Sequence, residues 1–237
     1  MQPKTQRGFT LVELAIVLLI LSVLAGGVVL TVRAQLSQRQ LAETRAALDQ
    51  ARAALMAFAA VNGRLPCPAV GGAPGQGSEP AINAGGCTNI RGLLPWETLG
   101  VVAIDGWGRR LGYAVSKEFS TAFTLDTTGS VEVAAGQGGP DKLATSGSVA
   151  AAIWSYGPNG LYATQPNGNT IPGMGAGNDE CVNGTGSVCG GGSNTSTVIA
   201  REEWPNPTTP GGAFDDRVIW ISRFVLFDRM LAAGKLP

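Results

Sequence analysis

The chain of 237 residues carries 17 basic and 17 acidic side chains, so its formal net charge is zero, and it contains no histidine. The absence of histidine excludes Ser-His-Asp and Cys-His catalysis and every histidine-containing metal site. The balanced charge gives no overall electrostatic footprint for binding nucleic acid. The length is sufficient for one domain with a hydrophobic core and an additional segment outside that domain.

Residues 9–32 form an apolar stretch in which Glu13 is the only charged residue. A helix of this length rises about 36 Å, which is enough to cross a hydrocarbon core of roughly 30 Å. Lys4 and Arg7 precede the stretch, so the positive-inside rule places the N-terminus in the cytoplasm and the body outside it. The sequence therefore predicts a single membrane span.

Three kinds of N-terminal processing are compatible with this stretch: an uncleaved anchor, a secretory signal cut after Ala25, or cleavage between Gly8 and Phe9. A carboxylate inside an apolar segment costs free energy unless it is paired, and a disposable signal core has no use for one. Cleavage before Phe9 creates an α-ammonium close to Glu13, and the two charges can pair between neighbouring helices. Glu13 therefore favours the cut between Gly8 and Phe9.

Residues 7–14, RGFTLVEL, resemble the processing site of type IV pilins and type II secretion pseudopilins. The resemblance implies that a prepilin peptidase cuts after Gly8 and N-methylates Phe9, and that Glu13 helps to align subunits during assembly. Residues 1–8 are then the leader, and residues 9–32 are the transmembrane and assembly helix. The implied location is the bacterial inner membrane, with a periplasmic head. The implied partners are other pilin subunits, an inner-membrane assembly platform and membrane lipid.

Residues 33–62 predict a periplasmic continuation of this helix, because they are rich in strong helix formers and lack proline. Asn62 and Gly63 are expected to end the helix. Its apolar stripe is expected to pack on the protein's own sheet. The stripe consists of Leu41, Thr44, Leu48, Ala51, Leu55 and Phe58.

Residues 63–237 predict a globular head that is rich in turns. Strands are expected at residues 111–115, 122–125, 130–133, 149–156 and 217–221, followed by a short helix that Ser222 caps. Residues 63–100 and 157–197 are expected to be long loops. The predicted fold class is α+β: a long N-terminal helix packed on an antiparallel sheet, with disulfide-pinned loops, as in pilins.

Four cysteines lie in the head, and their spacing does not fit a paired C-x-x-C zinc site. A body outside the cytoplasm lies in an oxidising compartment, so disulfides are expected. Three pairings are possible in principle. We predict the local ones, Cys67–Cys87 and Cys181–Cys189, each of which closes a loop.

No complete metal site, nucleotide-binding loop or nucleophile motif is evident, so we expect neither an enzyme nor a bound cofactor. Some pseudopilins bind calcium in a late loop through acidic oxygens, which makes calcium the one candidate ion here. Its candidate ligands are Asp179, Glu180, Asp215 and Asp216. The expected function is that of a filament subunit, and a minor one, because the head is larger than that of a small major pseudopilin. The alternatives are a secretion-system pseudopilin and a membrane-anchored periplasmic binding protein.

Overall fold

The computed structural model describes residues 8–69, 71–136, 142–175, 177–184, 194, 196–203 and 211–236, without the side chains of residues 24–31. The chain divides into two compact units, Met1–Ala42 and Glu43–Pro237. Helix α1 (Leu11–Asn62) begins in the first unit and ends in the second. Gly63 follows it with a φ of 72°, a conformation that favours glycine, so the predicted end of the helix is confirmed.

The described part of the first unit is helical from Leu11 onwards and mostly exposed. From Phe9 to Leu36 its described large apolar side chains are between 48% (Val17) and 85% (Leu11) exposed. Within the part of the chain that the structure describes, no helix is both long enough and apolar enough to span a membrane.

In the second unit, α1 lays one stripe against the sheet, as predicted. Thr44, Leu48, Ala51 and Leu55 are buried, and the apolar members of this set share one core with residues of the central strands. The two end members of the predicted stripe, Leu41 and Phe58, are only half-buried. The Arg64 guanidinium lies 5.2 Å from the ring centroid of Phe58. The 3.6-residue period therefore identified the buried face of the helix.

One sheet of six strands is formed by the described residues of the head. Its strand order is β1-β2-β4-β3-β5. The sixth strand, β6, lies off this path and pairs with β4 along the edge opposite to β3. The strands are β1 (Arg91–Leu93), β2 (Gly112–Val115), β3 (Val131–Ala134), β4 (Lys142–Ser155), β5 (Thr197–Ile199) and β6 (Arg217–Ser222).

The sheet is mixed, because β5 runs parallel to β3 whereas the other pairs are antiparallel. The predicted α+β class and the packing of the helix on the sheet are confirmed, and the prediction of a purely antiparallel sheet is wrong. A parallel pair needs a long crossover connection, and the long segment between β4 and β5 supplies it.

Two further predictions about the strands need correction. Residues 122–125 are not a strand: Phe123 is buried by ring contacts with Phe119 and Phe227, with centroids 5.0 and 6.0 Å away. Residues 63–100, expected to be a loop, contain β1 and the short helix α2 (Trp96–Leu99). In both places the sequence contains a short apolar run, and such a run occurs in strands, in helices and in packed loops, so its secondary structure could not be assigned from the pattern alone.

The remaining helices are α3 (Asp179–Asn183) and α4 (Arg223–Ala232). The side chain of Ser222 accepts a hydrogen bond from the backbone N–H of Phe224, which confirms the predicted cap of α4. Helix α3 lies inside the region 157–197 that was expected to be a loop, and Asn178 caps it. This short helix positions two of the candidate calcium ligands.

The Cys67–Cys87 disulfide is present, with a Cα–Cα distance of 5.4 Å, and both cysteines belong to the core under α1. By constraining the unfolded chain, a bridge of this span contributes about 3 kcal/mol. Cys181 is buried in α3, whereas Cys189 lies outside the described residues, so the predicted Cys181–Cys189 pairing remains a prediction.

Candidate functional site

The Gly8–Phe9 peptide bond lies just before α1, in backbone without regular structure. Gly8 is exposed and has no neighbouring atom within 4 Å of the position a Cβ would take, and Phe9 is 84% exposed. A peptidase needs an accessible, non-helical segment, and this bond satisfies both conditions.

Glu13 takes part in a capping box at the start of α1. The backbone N–H of Glu13 donates to Thr10 Oγ1 over 3.3 Å, and the backbone N–H of Thr10 lies 3.5 Å from Glu13 Oε2. This reciprocal pattern is typical of a Ser/Thr at the N-cap and a Glu three residues later. The carboxylate of Glu13 therefore points back towards the N-terminal end of the helix, against Thr10. The capping role is one that sequence analysis missed, although the Thr-x-x-Glu spacing signals it.

Three of the four candidate calcium ligands come together at the end of the head that contains α3 and the start of β6. Ligand oxygens of Glu180, Asp215 and Asp216 all lie within 4.8 Å of one another. Residues 35 positions apart along the chain thus form one acidic cluster, which we call the carboxylate cluster. Asp179 does not join it, because its side chain forms an ion pair with Arg201 over 2.8 Å.

Hydrogen bonds hold the carboxylate cluster in place and leave two of its oxygens without a partner. Glu180 Oε1 accepts from Asn159 Nδ2 and from the backbone N–H of Asp215, both over 2.9 Å. Asp216 Oδ2 accepts from Asn183 Nδ2 over 2.8 Å. The Oδ1 atoms of Asp215 and Asp216 are buried and have no hydrogen-bond partner among the described residues. A buried oxygen without a partner needs an explanation, and a bound proton, water or cation can each supply one.

The electrostatics of the carboxylate cluster favour the neutral acids. Burial raises the pKa of Glu180 to about 7. Burial and then the charge of Glu180 raise the pKa of Asp216 well above its usual value, and burial also raises the pKa of Asp215. The charge of Arg91 lowers the pKa of Asp216, but by less than burial and the charge of Glu180 raise it. The Arg91 guanidinium donates to the carbonyls of Thr197 and Val182. A cation bound among these oxygens would reverse the shifts.

Comparison with known families decides what the N-terminal segment is. Residues 3–29 match the prokaryotic N-terminal methylation motif. This motif is the prepilin-type cleavage and methylation site of type IV pilins and pseudopilins, so the resemblance of residues 7–14 is confirmed. Comparison with curated proteins and with solved structures found no significant match to the chain.

The prepilin-type motif implies processing by a prepilin peptidase and assembly with other pilin subunits. It supports a pilin-like or pseudopilin subunit, which is a structural protein and not an enzyme, and it suggests membrane-associated pilus assembly. The match ends at residue 29, so it covers the start of α1 and does not include the head. The role of the head must be inferred from the structure of the head itself.

Proposed function

We propose that this chain is a minor structural subunit of a type IV pilus-like filament. In this proposal residues 9–32 insert into the inner membrane with the N-terminus in the cytoplasm and the head in the periplasm. The peptidase removes residues 1–8, and the platform then moves the subunit into the filament. The observation that carries the proposal is the methylation motif at residues 3–29, which includes the exposed apolar start of α1.

Assembly is driven by burial of the apolar side chains of α1 once the helix leaves the lipid. Glu13 pairs with the methylated α-ammonium of Phe9 on a neighbouring subunit and sets the axial register. The capping box supports this role, since it holds the Glu13 carboxylate at the end of the helix where that ammonium forms.

Mass spectrometry of the N-terminus of the mature protein tests the proposal. We expect a chain that begins with N-methylated Phe9, and we expect Gly8→Val to retain the leader. Gly85→Val is a matched control, because Gly85 is also exposed and has nothing near its Cβ position. A wild-type terminus at Gly26 would indicate a cleaved secretory signal, and an intact Met1 would indicate an uncleaved anchor. Either result contradicts the proposal.

Two alternatives are separated by different measurements. A type II secretion pseudopilin would show the same processing, and the neighbouring genes would encode a secretion system. A membrane-anchored periplasmic binding protein would be absent from sheared filaments, because it would have no reason to assemble.

We also propose that the carboxylate cluster binds calcium. Support comes from the buried, unpartnered Oδ1 atoms of Asp215 and Asp216, one of which belongs to a residue only 4% exposed. Calcium takes six to eight oxygen ligands, so Glu180, Asp215 and Asp216 would need backbone carbonyls or water to complete the shell. The ion would offset two of the three negative charges of the ionised cluster and tie α3 to the start of β6.

A further inference from the structure

The outer face of α1 in the second unit is unusually apolar. It lies opposite the stripe that packs on the sheet, and its residues recur every three or four positions. Its members are Glu43, Ala46, Gln50, Ala53, Ala57 and Val61, and all of them are exposed. An ordinary solvent-facing helix surface carries charged and polar residues. Four of these six side chains are alanine or valine instead.

This face forms the floor of a long groove. Residues 98–106 run beside it as a wall, and two cavities of about 590 and 370 Å³ lie between wall and helix. Gln50 lines both cavities, so they adjoin, and together they extend along α1 from Glu43 to Asn62. At 1.5 Å per residue the groove is about 28 Å long. We call it the α1 groove.

The wall of the α1 groove is held firmly in place. The backbone N–H of Gly106 donates to Thr44 Oγ1 on α1 over 3.0 Å. Asp105 Oδ1 accepts from the backbone N–H groups of Trp107 and Arg109, and Asp105 Oδ2 accepts from Ser155 on β4 over 2.6 Å. The turn at residues 105–108 thus connects the wall to both the helix and the sheet. The groove is preformed.

An apolar α-helix fits a groove of this kind. A floor of alanines lets a second helix axis approach to about 8–10 Å, because no large side chain stands between the two backbones. The apolar wall supplies the remaining contacts, since Val102 is 49% exposed and Leu99, Val101 and Ile104 also line the groove.

The chain itself contains a helix that needs such a cover. The large apolar side chains between Leu11 and Val23 are all about half exposed or more, so most of their surface faces solvent in the single chain. The methylation motif implies that this chain assembles with other pilin subunits. We propose that the α1 groove of one subunit receives residues 11–23 of a second copy. This inference rests on the proposed filament function and names the surface of the head that assembly uses.

Site-specific photocrosslinking in the full chain tests the inference. A photoreactive phenylalanine analogue replaces Ala57 on the groove floor or, as the control, Arg52. Both positions are exposed on α1, and they point roughly 140° apart around its axis. In filaments we expect the probe at position 57 to link to a peptide within residues 11–23 of another copy, at least about tenfold more than the probe at position 52.

A second variant keeps the test decisive if the probe itself disturbs assembly. Ala57→Arg places a charge under the incoming helix, and arginine is a good helix former, so the head should keep its melting temperature. We expect at least about a tenfold loss of filaments with Ala57→Arg and no loss with Arg52→Glu. The inference is wrong if Ala57→Arg forms normal filaments. It is also wrong if position 57 crosslinks only to lipid, to another protein or to another part of the chain. Neither result affects the filament proposal. Absence of filaments from the wild-type chain overturns the filament proposal itself.

Discussion

Replacement of Glu13 by alanine is expected to leave cleavage and methylation intact and to lower the yield of filaments at least about tenfold. The reason is that the α-ammonium of Phe9 and the Glu13 carboxylate pair in surroundings made of apolar helices. An uncompensated charge there costs several kcal/mol, and each 1.4 kcal/mol corresponds to a factor of ten in an equilibrium. Sheared filaments quantified by immunoblot, with mass spectrometry of the N-terminus, measure both quantities.

Glu13→Gln separates the capping contact that the structure shows from the charge pairing that we propose. Glutamine keeps the capping box with Thr10, because Gln also serves at that position, but it removes the charge. If charge pairing sets the register, Glu13→Gln should assemble as poorly as Glu13→Ala. If the residue only caps the helix, Glu13→Gln should assemble normally, and the pairing hypothesis would be wrong. Glu118→Gln, at an exposed position of the head, is the matched control and should have no effect.

In the presence of a chelator, the free energy of unfolding of the head is expected to fall as the pH rises from about 4.5 to 7. The pKa of Glu180 is about 7 in the folded protein, above its ordinary value of 4.5, because the group is buried. Between these values the folded state binds more protons than the unfolded state, so stability is greatest at low pH and is lost as the pH rises. The expected fall is on the order of 2 kcal/mol, measured by chemical denaturation at a series of pH values.

Calcium should reverse this loss, because it replaces the protons among the same oxygens. At pH 8 we expect calcium to raise the melting temperature of the wild-type chain and to have no effect on Asp216→Asn. Asp216→Asn should also be more stable than wild type in chelator, because the amide keeps the hydrogen bond with Asn183 and removes one buried charge. Asp126→Asn, at an exposed position, is the control and should behave as wild type. A melting temperature that is the same with calcium and with chelator would contradict the calcium proposal.

Sequence patterns predicted correctly those features that depend on residues close together in the chain. The 3.6-residue period identified Leu48 and Leu55 as buried, and the closely spaced pair Cys67 and Cys87 forms the expected disulfide. The N-terminal motif could be read because its chemistry lies within a few adjacent residues.

Features that depend on distant parts of the chain could not be predicted in this way. The parallel pairing of β5 with β3 depends on how a long connection crosses the sheet. The resemblance to pseudopilins grouped Glu180, Asp215 and Asp216 as candidate ligands of one ion. Nothing in the sequence near Asp179 indicates that its side chain pairs with Arg201 instead of joining them. The α1 groove escaped notice for a related reason, because an alanine-rich helix face is also what a strong helix former supplies.

The burial of the Cys67–Cys87 bridge determines the order of two steps in folding, disulfide oxidation and the docking of α1 on the sheet. Both sulfur-bearing residues are only 1% exposed and belong to the core that α1 covers, so a thiol oxidant cannot reach them after that core has closed. Oxidation must therefore come before the helix docks on the sheet. Chains that fold without the bridge would be trapped as reduced molecules, and slow oxidation of these thiols should make such molecules accumulate.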